Sequence, residues 1–278
     1  MPDALMRHVR AVRNVRLPGG RVPFRLGDVQ VGWLAPDAAA HLAGQAGCRR
    51  ACDGVALERA AALPALAHGL AEAGWFAWRG EAFDVRARPG GEVLATVDRG
   101  ALPWFGIAAE GVHVNGLVRR ADGLHIWIAR RAANRLIDPG KLDHLFAGGI
   151  SAGMTPETTL VKEGAEEAGL APDVVRAARP VGVIAYTMQR PEGLRRDRLH
   201  CYDLALAEAV VPVPADGEVA GFELWPASRV LAALRETDDF KFNVTLVLID
   251  LFLRLGVLAG DEAENARLAE ALRAGEGR

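Results

Sequence analysis

The chain has 278 residues, 50% hydrophobic and 24% charged, a balance that gives a soluble globular protein with a sizeable core. A net charge of -2 and a pI near 6.4 exclude a global positive field that would recruit nucleic acid or an anionic membrane. Cys48, Cys52 and Cys201 are odd in number and lack paired zinc spacing, so neither a disulfide framework nor a zinc site is expected, and the cytoplasm is the expected setting.

Leu5, Met6, Val9 and Val12 interleave with Arg7, Arg10, Arg13 and Arg16 as an amphipathic helix, without the apolar stretch of a signal peptide; transit-peptide character is the minor alternative. Residues 56–73, rich in alanine and leucine, predict a helix ended by Gly74. Strands are predicted at 82–88 and 92–97 around the turn Pro89-Gly90-Gly91. Trp33, Trp75 and Trp78 read as core or domain-interface anchors. From about Pro103 the texture changes, and 111–118 with 124–130 predict a hairpin around Ala121-Asp122-Gly123. A glycine-bearing loop at 146–153 leads to a helix opened by Thr155-Pro156-Glu157 and stopped after Ala168 by Gly169. Strands at 181–188 and 199–206 flank a charged loop containing Arg195, Arg196, Asp197 and Arg198. A short strand at 222–225 and helices at 226–235 and 243–255 follow. The apolar run at 244–258 is broken by Asp250 and Arg254 and is too short to span a membrane. This order predicts an α/β (α+β) sandwich over 106–260, a smaller N-terminal α+β domain over 1–105, and a polar helical tail over 261–278 that frays.

The chemistry lies between Gly148 and Leu170. Glu163, Glu166 and Glu167 stand at i, i+3 and i+4, so they project from one helix face and repel one another unless a cation neutralises them. Hard divalent ions take oxygen ligands, usually one or two carboxylates together with water and substrate phosphate. The preceding loop can bring backbone carbonyls to the same point, the arrangement of a metal-assisted phosphoryl-transfer site. Taken alone, the helix also reads as a solvated glutamate face.

These residues resemble the Nudix box, G-x5-E-x7-R-E-U-x-E-E-x-G-U, where U is a bulky aliphatic residue. Gly148, Glu163, Glu166, Glu167, Gly169 and Leu170 match in register, and Lys162 replaces the arginine with its charge kept. Two positions depart: Met154 stands at the first glutamate and Gly164 at the internal aliphatic position. The resemblance implies a Nudix-type α/β/α sandwich with a mixed sheet, and Mg²⁺ or Mn²⁺ bound by Glu163, Glu166, Glu167 and the carbonyl of Ala147. In the family the glutamate absent at 154 supports the site by pairing with the arginine, and Glu157 is the nearest substitute. One of the box carboxylates, or Glu218 in the Asp216-Gly217-Glu218-Val219 loop, would activate or orient water; a surface turn acid is the other reading of Glu218.

His113-Val114-Asn115-Gly116, Ile128-Ala129-Arg130-Arg131, Pro139-Gly140-Lys141-Leu142-Asp143-His144 and the 217–225 segment look like a Nudix subgroup with an N-terminal domain of uncharacterised type. That subgroup is similar to the Nudix half of fungal thiamine pyrophosphokinases, which implies hydrolysis of damaged thiamine diphosphates (oxo and oxy forms) to monophosphates. Arg130, Arg131 and Lys141 are the candidate phosphate donors, and alternation along a strand lets only one of the two arginines reach the site. His113 and Asn115 share a strand face and could bond a heterocycle or fill structural roles. Trp104 and Phe105, at the domain junction, could stack on a flat ring, and a core role is the favoured expectation. Rival readings are a Nudix pyrophosphatase acting on ADP-ribose or another nucleoside diphosphate derivative, and a non-catalytic diphosphate sensor, which has no need of three glutamates. An isomerase on the same fold would use an active-site cysteine, and Cys201 lacks that context. The N-terminal segment is open to three roles: completing the pocket, mediating a homodimer, or covering the sheet.

Overall fold

The computed structural model describes residues 3–258 and 262–274; the expected tail residues at 261 and 275–278 lie outside the described residues. The first helix, α1 (Asp3–Val12), buries Leu5, Val9 and Val12. Next come β1 (Val22–Leu26), β2 (Val29–Leu34), α2 (Pro36–Leu42), β3 (Cys48–Arg50), β4 (Val55–Leu57), α3 (Leu63–Glu72), the hairpin β5 (Ala82–Val85) and β6 (Ala95–Asp98), and α4 (Leu102–Phe105). The order β2-β1-β4-β3 makes one small sheet, with β1 and β4 parallel. Its core is Phe24, Leu34, Leu42, Leu57, Leu63 and Phe105, with the Phe24 and Phe105 rings 4.7 Å apart.

Two expectations fail here. The helix at 56–73 begins only at Leu63, because Ala56 and Leu57 pair with β1 and β3, and Pro64 sits in the first turn where its missing N–H costs nothing. The domain division at 105/106 also misplaces α1, whose buried face packs with residues from 126 to 272. Sheet pairing and long-range packing outweigh local alanine propensity in both cases.

The second lobe comprises β7 (Ala108–Arg120), β8 (Gly123–Arg131), β9 (Leu142–Asp143), β10 (Phe146–Gly149), α5 (Pro156–Ala168), α6 (Pro172–Val175), β11 (Arg179–Arg190), β12 (Gly193–Ala205), β13 (Val219–Pro226), α7 (Ala227–Glu236), α8 (Val244–Arg254) and α9 (Glu262–Arg273). The strand order is β11-β12-β7-β8-β13, with β10 added to β7 and β9 to β8. β12 pairs with β7 in parallel and the other strand neighbours pair antiparallel, so the sheet is mixed. One face is covered by α1, α7, α8 and α9, around Leu246, Leu248, Ile249 and Phe252; the other by α5 and α6, around Phe146, Leu160 and Val175. This is an α/β/α sandwich. The tail helix α9 is docked through Leu268 and Leu272.

The charged loop expected at 195–198 is strand. β11 and β12 run to a tight turn at Pro191 and Glu192, and the charges are met within β12 and by neighbouring elements. Arg195 donates to Asp197, which also accepts from the buried Tyr186 hydroxyl, and Arg195 lies over the Phe242 ring. A buried ion pair of this kind is satisfied by partners that local composition does not reveal.

Candidate active site

The glycine loop leaves β10 and enters α5 through a complete local cap. Thr155 accepts the N–H of Thr158, the Thr158 side chain answers at the Thr155 N–H, Pro156 takes the first turn, and Gly169 ends the helix at φ 63°. Gly148 is required by close approach: a Cβ there would stand 2.1 Å from Glu163 Cδ. Gly164 has a different cause, since a Cβ would meet Val175 at 2.6 Å and Phe146 at 3.1 Å. Neighbouring side chains thus fill the volume that an aliphatic residue supplies in the family pattern.

The acidic face divides into two sets. Lys162 Nζ bridges Glu163 at 3.0 Å and Glu166 at 2.8 Å. Glu167 is buried and accepts the Ala147 N–H at 2.9 Å. Burial, with Asp143 and Glu163 adding to it, pushes the Glu167 carboxyl up to about 8. Burial likewise raises Glu163, against the pull of Lys162. From the other side, Asp216 and Glu218 bring carboxylate oxygens to within 4.8 Å of one another and of Glu167. The Glu218 N–H donates to Asp216, and Arg135 pairs with the Glu218 carboxylate. A crowded, all-oxygen donor set around a buried carboxylate with no paired cation fits a hard divalent ion.

The sign of the Glu167 shift gives a testable consequence. Its folded value of about 8 lies above the ordinary 4.5, so the stability tied to its neutral form is complete below 4.5 and lost as pH rises through about 8. A divalent ion favours the ionised form. The rise in Tm on adding Mg²⁺ to EDTA-treated protein is therefore expected to be larger at pH 8.5 than at pH 5.5; an equal or reversed response would contradict the assignment.

Of these acids, Asp216 and Glu218 line a cavity of about 970 Å³. Ala147, Gly148, Asp216, Glu218, Arg131, Lys241, Arg195 and Arg196 line it from the second lobe, and Trp75, Phe76, Phe83, Arg99 and Trp104 from the first. Of the paired arginines, Arg131 faces inward, held by Asp143 at 2.9 Å and by the carbonyls of Ile137 and Asp138. Arg130 is exposed and donates to the Gly140 carbonyl, so alternation along β8 excludes it from the cavity. Lys141 is corrected too: its ammonium reaches the Asp238 carbonyl at the surface. Asn115 is fully buried and donates to Asp203 away from the cavity, while His113 lines the cavity but is spent on His144 at 2.9 Å. Burial, ahead of its charged neighbours, holds His113 well below its ordinary value. Glu157 remains exposed on the first turn, held by its own N–H and by Thr155. Trp75 and Trp78 are 37% and 44% exposed rather than core anchors. Phe105 is buried as expected, whereas Trp104 lies in the cavity wall.

Sequence reasoning missed Asp216 as a site acid, and it missed Lys241. Lys241 is half-buried in the wall, 3.5 Å from Asp143; desolvation lowers its pKa, and the nearby Asp143 opposes that. Lys241, His144 and Arg131 outweigh burial at Asp143 and hold that carboxyl well below the usual range. A signal was present: of 33 basic residues only three are lysine, and two of these, Lys162 and Lys241, stand at the site.

An α/β/α sandwich with a glycine loop feeding a glutamate helix is the architecture of the Nudix class. Residues 110–245 match the NUDIX domain model. Two Arabidopsis thaliana proteins are similar: Nudix hydrolase 20, chloroplastic, 38% identical over 195 residues, and Nudix hydrolase 24, chloroplastic, 37% identical over 198. The matches cover 70% and 71% of this chain and 52% and 54% of those proteins, so the chain spans about half the length of the curated relatives it matches. The crystal structure of DR0079 from Deinococcus radiodurans is similar with 22% identity and a TM-score of 0.47, covering 60% of this chain and 97% of that one.

Proposed function

We propose that the chain is a Nudix-type diphosphate hydrolase that uses Mg²⁺ or Mn²⁺ and acts on a small ring-bearing diphosphate of the damaged thiamine type, the oxo and oxy forms, to give the monophosphate. One observation carries the reading. A buried carboxylate, Glu167, converges with Asp216 and Glu218, and those two line a cavity that has guanidinium and ammonium groups on one wall and indole rings on another. Glu163, Glu166 and Glu167, with the peptide oxygen of Ala147, would hold the metal, and Asp216 and Glu218 would complete its surroundings. When bound, the ion would neutralise the diphosphate and make water a better nucleophile.

The chain's own groups orient and discriminate. Arg131, fixed by three hydrogen bonds, presents a pre-set planar donor to phosphate, and Lys241 adds a point charge beside it. Water attacks phosphorus, its proton passes to the Glu218 carboxylate, and the bridging P–O bond breaks to give inorganic phosphate and the ring monophosphate. Mg²⁺-dependent phosphate release from the oxo and oxy compounds, abolished by EDTA, is the expected activity.

Trp75, Phe76 and Trp104 form the aromatic wall, with the Trp75 and Trp104 rings 5.8 Å apart and Phe76 5.9 Å from Trp104. Stacking there would hold the ring end of the substrate. Trp75→Ala is expected to raise KM for a ring-bearing diphosphate about tenfold, in line with stacking energies of ~1–3 kcal/mol, and to leave kcat nearly unchanged. Inorganic pyrophosphate supplies the comparator: an equal loss on it would contradict the aromatic subsite.

The cysteines Cys48, Cys52 and Cys201 are free thiols, which supports a reducing compartment and the cytoplasm as the proposed location. Among the described residues, no helix is long and apolar enough to cross a membrane.

A further inference from the structure

The segment between β10 and α5 is where the chain departs from the family pattern, because Met154 cannot pair with the cation at 162. Lys162 turns instead onto Glu163 and Glu166. The loop is nevertheless braced, and the brace comes from the other lobe. The edge of β5 lies across it. Phe83 packs on Gly149 so closely that a Cβ there would come within 2.5 Å of the ring. The Ser151 hydroxyl donates to Glu81 at 2.7 Å, the Ala152 N–H to the Ala82 carbonyl at 2.7 Å, and the Gly153 N–H to the Asp84 carboxylate at 3.4 Å. Glu81 and Asp84 are themselves held, by Arg99 and Arg86, each at 2.8 Å. Within the second lobe the Ile150 N–H reaches the Glu110 carbonyl and the Met154 N–H the Ser151 carbonyl, so the loop's polar groups are tied along its length.

We infer that the β5 edge of the N-terminal lobe positions the metal-binding helix: Glu81, Ala82, Phe83 and Asp84 clasp residues 149–153 in place of the family's internal glutamate–arginine pair. The loop sets the entry of α5 and therefore where Glu163 and Glu167 point. Affinity for an ion depends on holding mutually repelling carboxylates in place before it arrives, which is the work of groups behind the ligands. The clasp makes the N-terminal lobe part of the site, and it accounts for a methionine being acceptable at 154. Glu81 to Asp84 are positioning residues in this scheme.

The inference rests on the metal-dependent reading above, and its test separates the two. Mn²⁺ binding to the metal-free, full-length protein is followed through the resonance of free Mn²⁺, for the unaltered chain, for Glu81→Ala with Ser151→Ala, and for that pair with Met154→Glu added. The double variant is expected to bind about tenfold more weakly. Met154→Glu is expected to recover most of the loss, because a carboxylate at 154 draws Lys162 off the metal face and ties the loop from within. Lowered Tm with unchanged Mn²⁺ affinity, or weakened affinity that Met154→Glu does not restore, would overturn the clasp. Should the double variant fail to fold, Ser151→Ala alone is read by hydrogen exchange at the Ala152 and Gly153 amides: about tenfold faster exchange supports the clasp, and unchanged exchange overturns it. Failure of the unaltered chain to bind Mn²⁺ would overturn the metal reading, and the clasp with it.

Discussion

Glu167→Gln is expected to lower kcat/KM by about a thousandfold or more, since loss of a metal-holding charge removes several kcal/mol of transition-state stabilisation and each ~1.4 kcal/mol is tenfold. The fold should not suffer. Glutamine keeps an oxygen to accept the Ala147 N–H. It also removes a carboxylate whose ionisation the site resists, with a value of about 8. Between pH 4.5 and 8 the metal-free wild type progressively loses the stability that its neutral Glu167 provides, so the metal-free variant at pH 8 should melt at or above wild type. The rise in Tm on adding Mg²⁺ should largely disappear. Steady-state kinetics with melting curves, with and without EDTA, check all three results. A variant that retains a tenth of the activity, or melts well below wild type without metal, would remove Glu167 from its assigned role.

Gly148→Ala carries the second large effect, and it reaches the site without touching a charge. The added methyl would occupy the space of the Glu163 carboxylate, whose Cδ, Cγ and Oε2 all lie within 2.4 Å of it. The obstacle is the far end of a flexible side chain, so Glu163 gives way and the backbone stays. The expected outcome is a loss of at least about a hundredfold in kcat/KM with Tm changed by only a few degrees. Gly148→Ala with Glu163→Gln should be little worse than either alone, because both changes remove the same carboxylate. Independent, multiplying losses would show that Gly148 serves something other than Glu163.

What the sequence disclosed and what it concealed divide by range. The α5 caps at Thr155 and Gly169, and the spacing of Glu163, Glu166 and Glu167, are local, so a single stretch of chain was enough to read them. Alternation similarly limited the arginine pair to one inward member. Distant pairings stayed hidden. Arg195 and Asp197 looked like loop charges until Tyr186 and Phe242 supplied their partners. Lys141 was a candidate because it follows the arginine pair in the segment before the glycine loop, yet the chain folds Lys241, far along the sequence, into the wall. The resemblance brought the turn of Glu218 to the site, but only the fold shows that Asp216 beside it also reaches Glu167. The alanine-rich 56–73 segment misled for the opposite reason, since strand pairing of Val55, Ala56 and Leu57 overrides a strong local propensity.

The central claim is metal-dependent cleavage of a diphosphate in the cavity lined by Asp216 and Glu218, beside Glu167. Its most direct test is phosphate release from oxothiamine and oxythiamine diphosphates, with thiamine diphosphate and ADP-ribose in parallel, using wild type and Glu167→Gln with Mg²⁺, Mn²⁺ or EDTA. Release that is fastest on the oxo and oxy compounds, requires the added ion and is lost in Glu167→Gln is the predicted result. Preference for ADP-ribose would contradict the ring assignment. Absence of release from every compound with either ion, or release that persists in EDTA or in Glu167→Gln, would contradict the catalytic account itself.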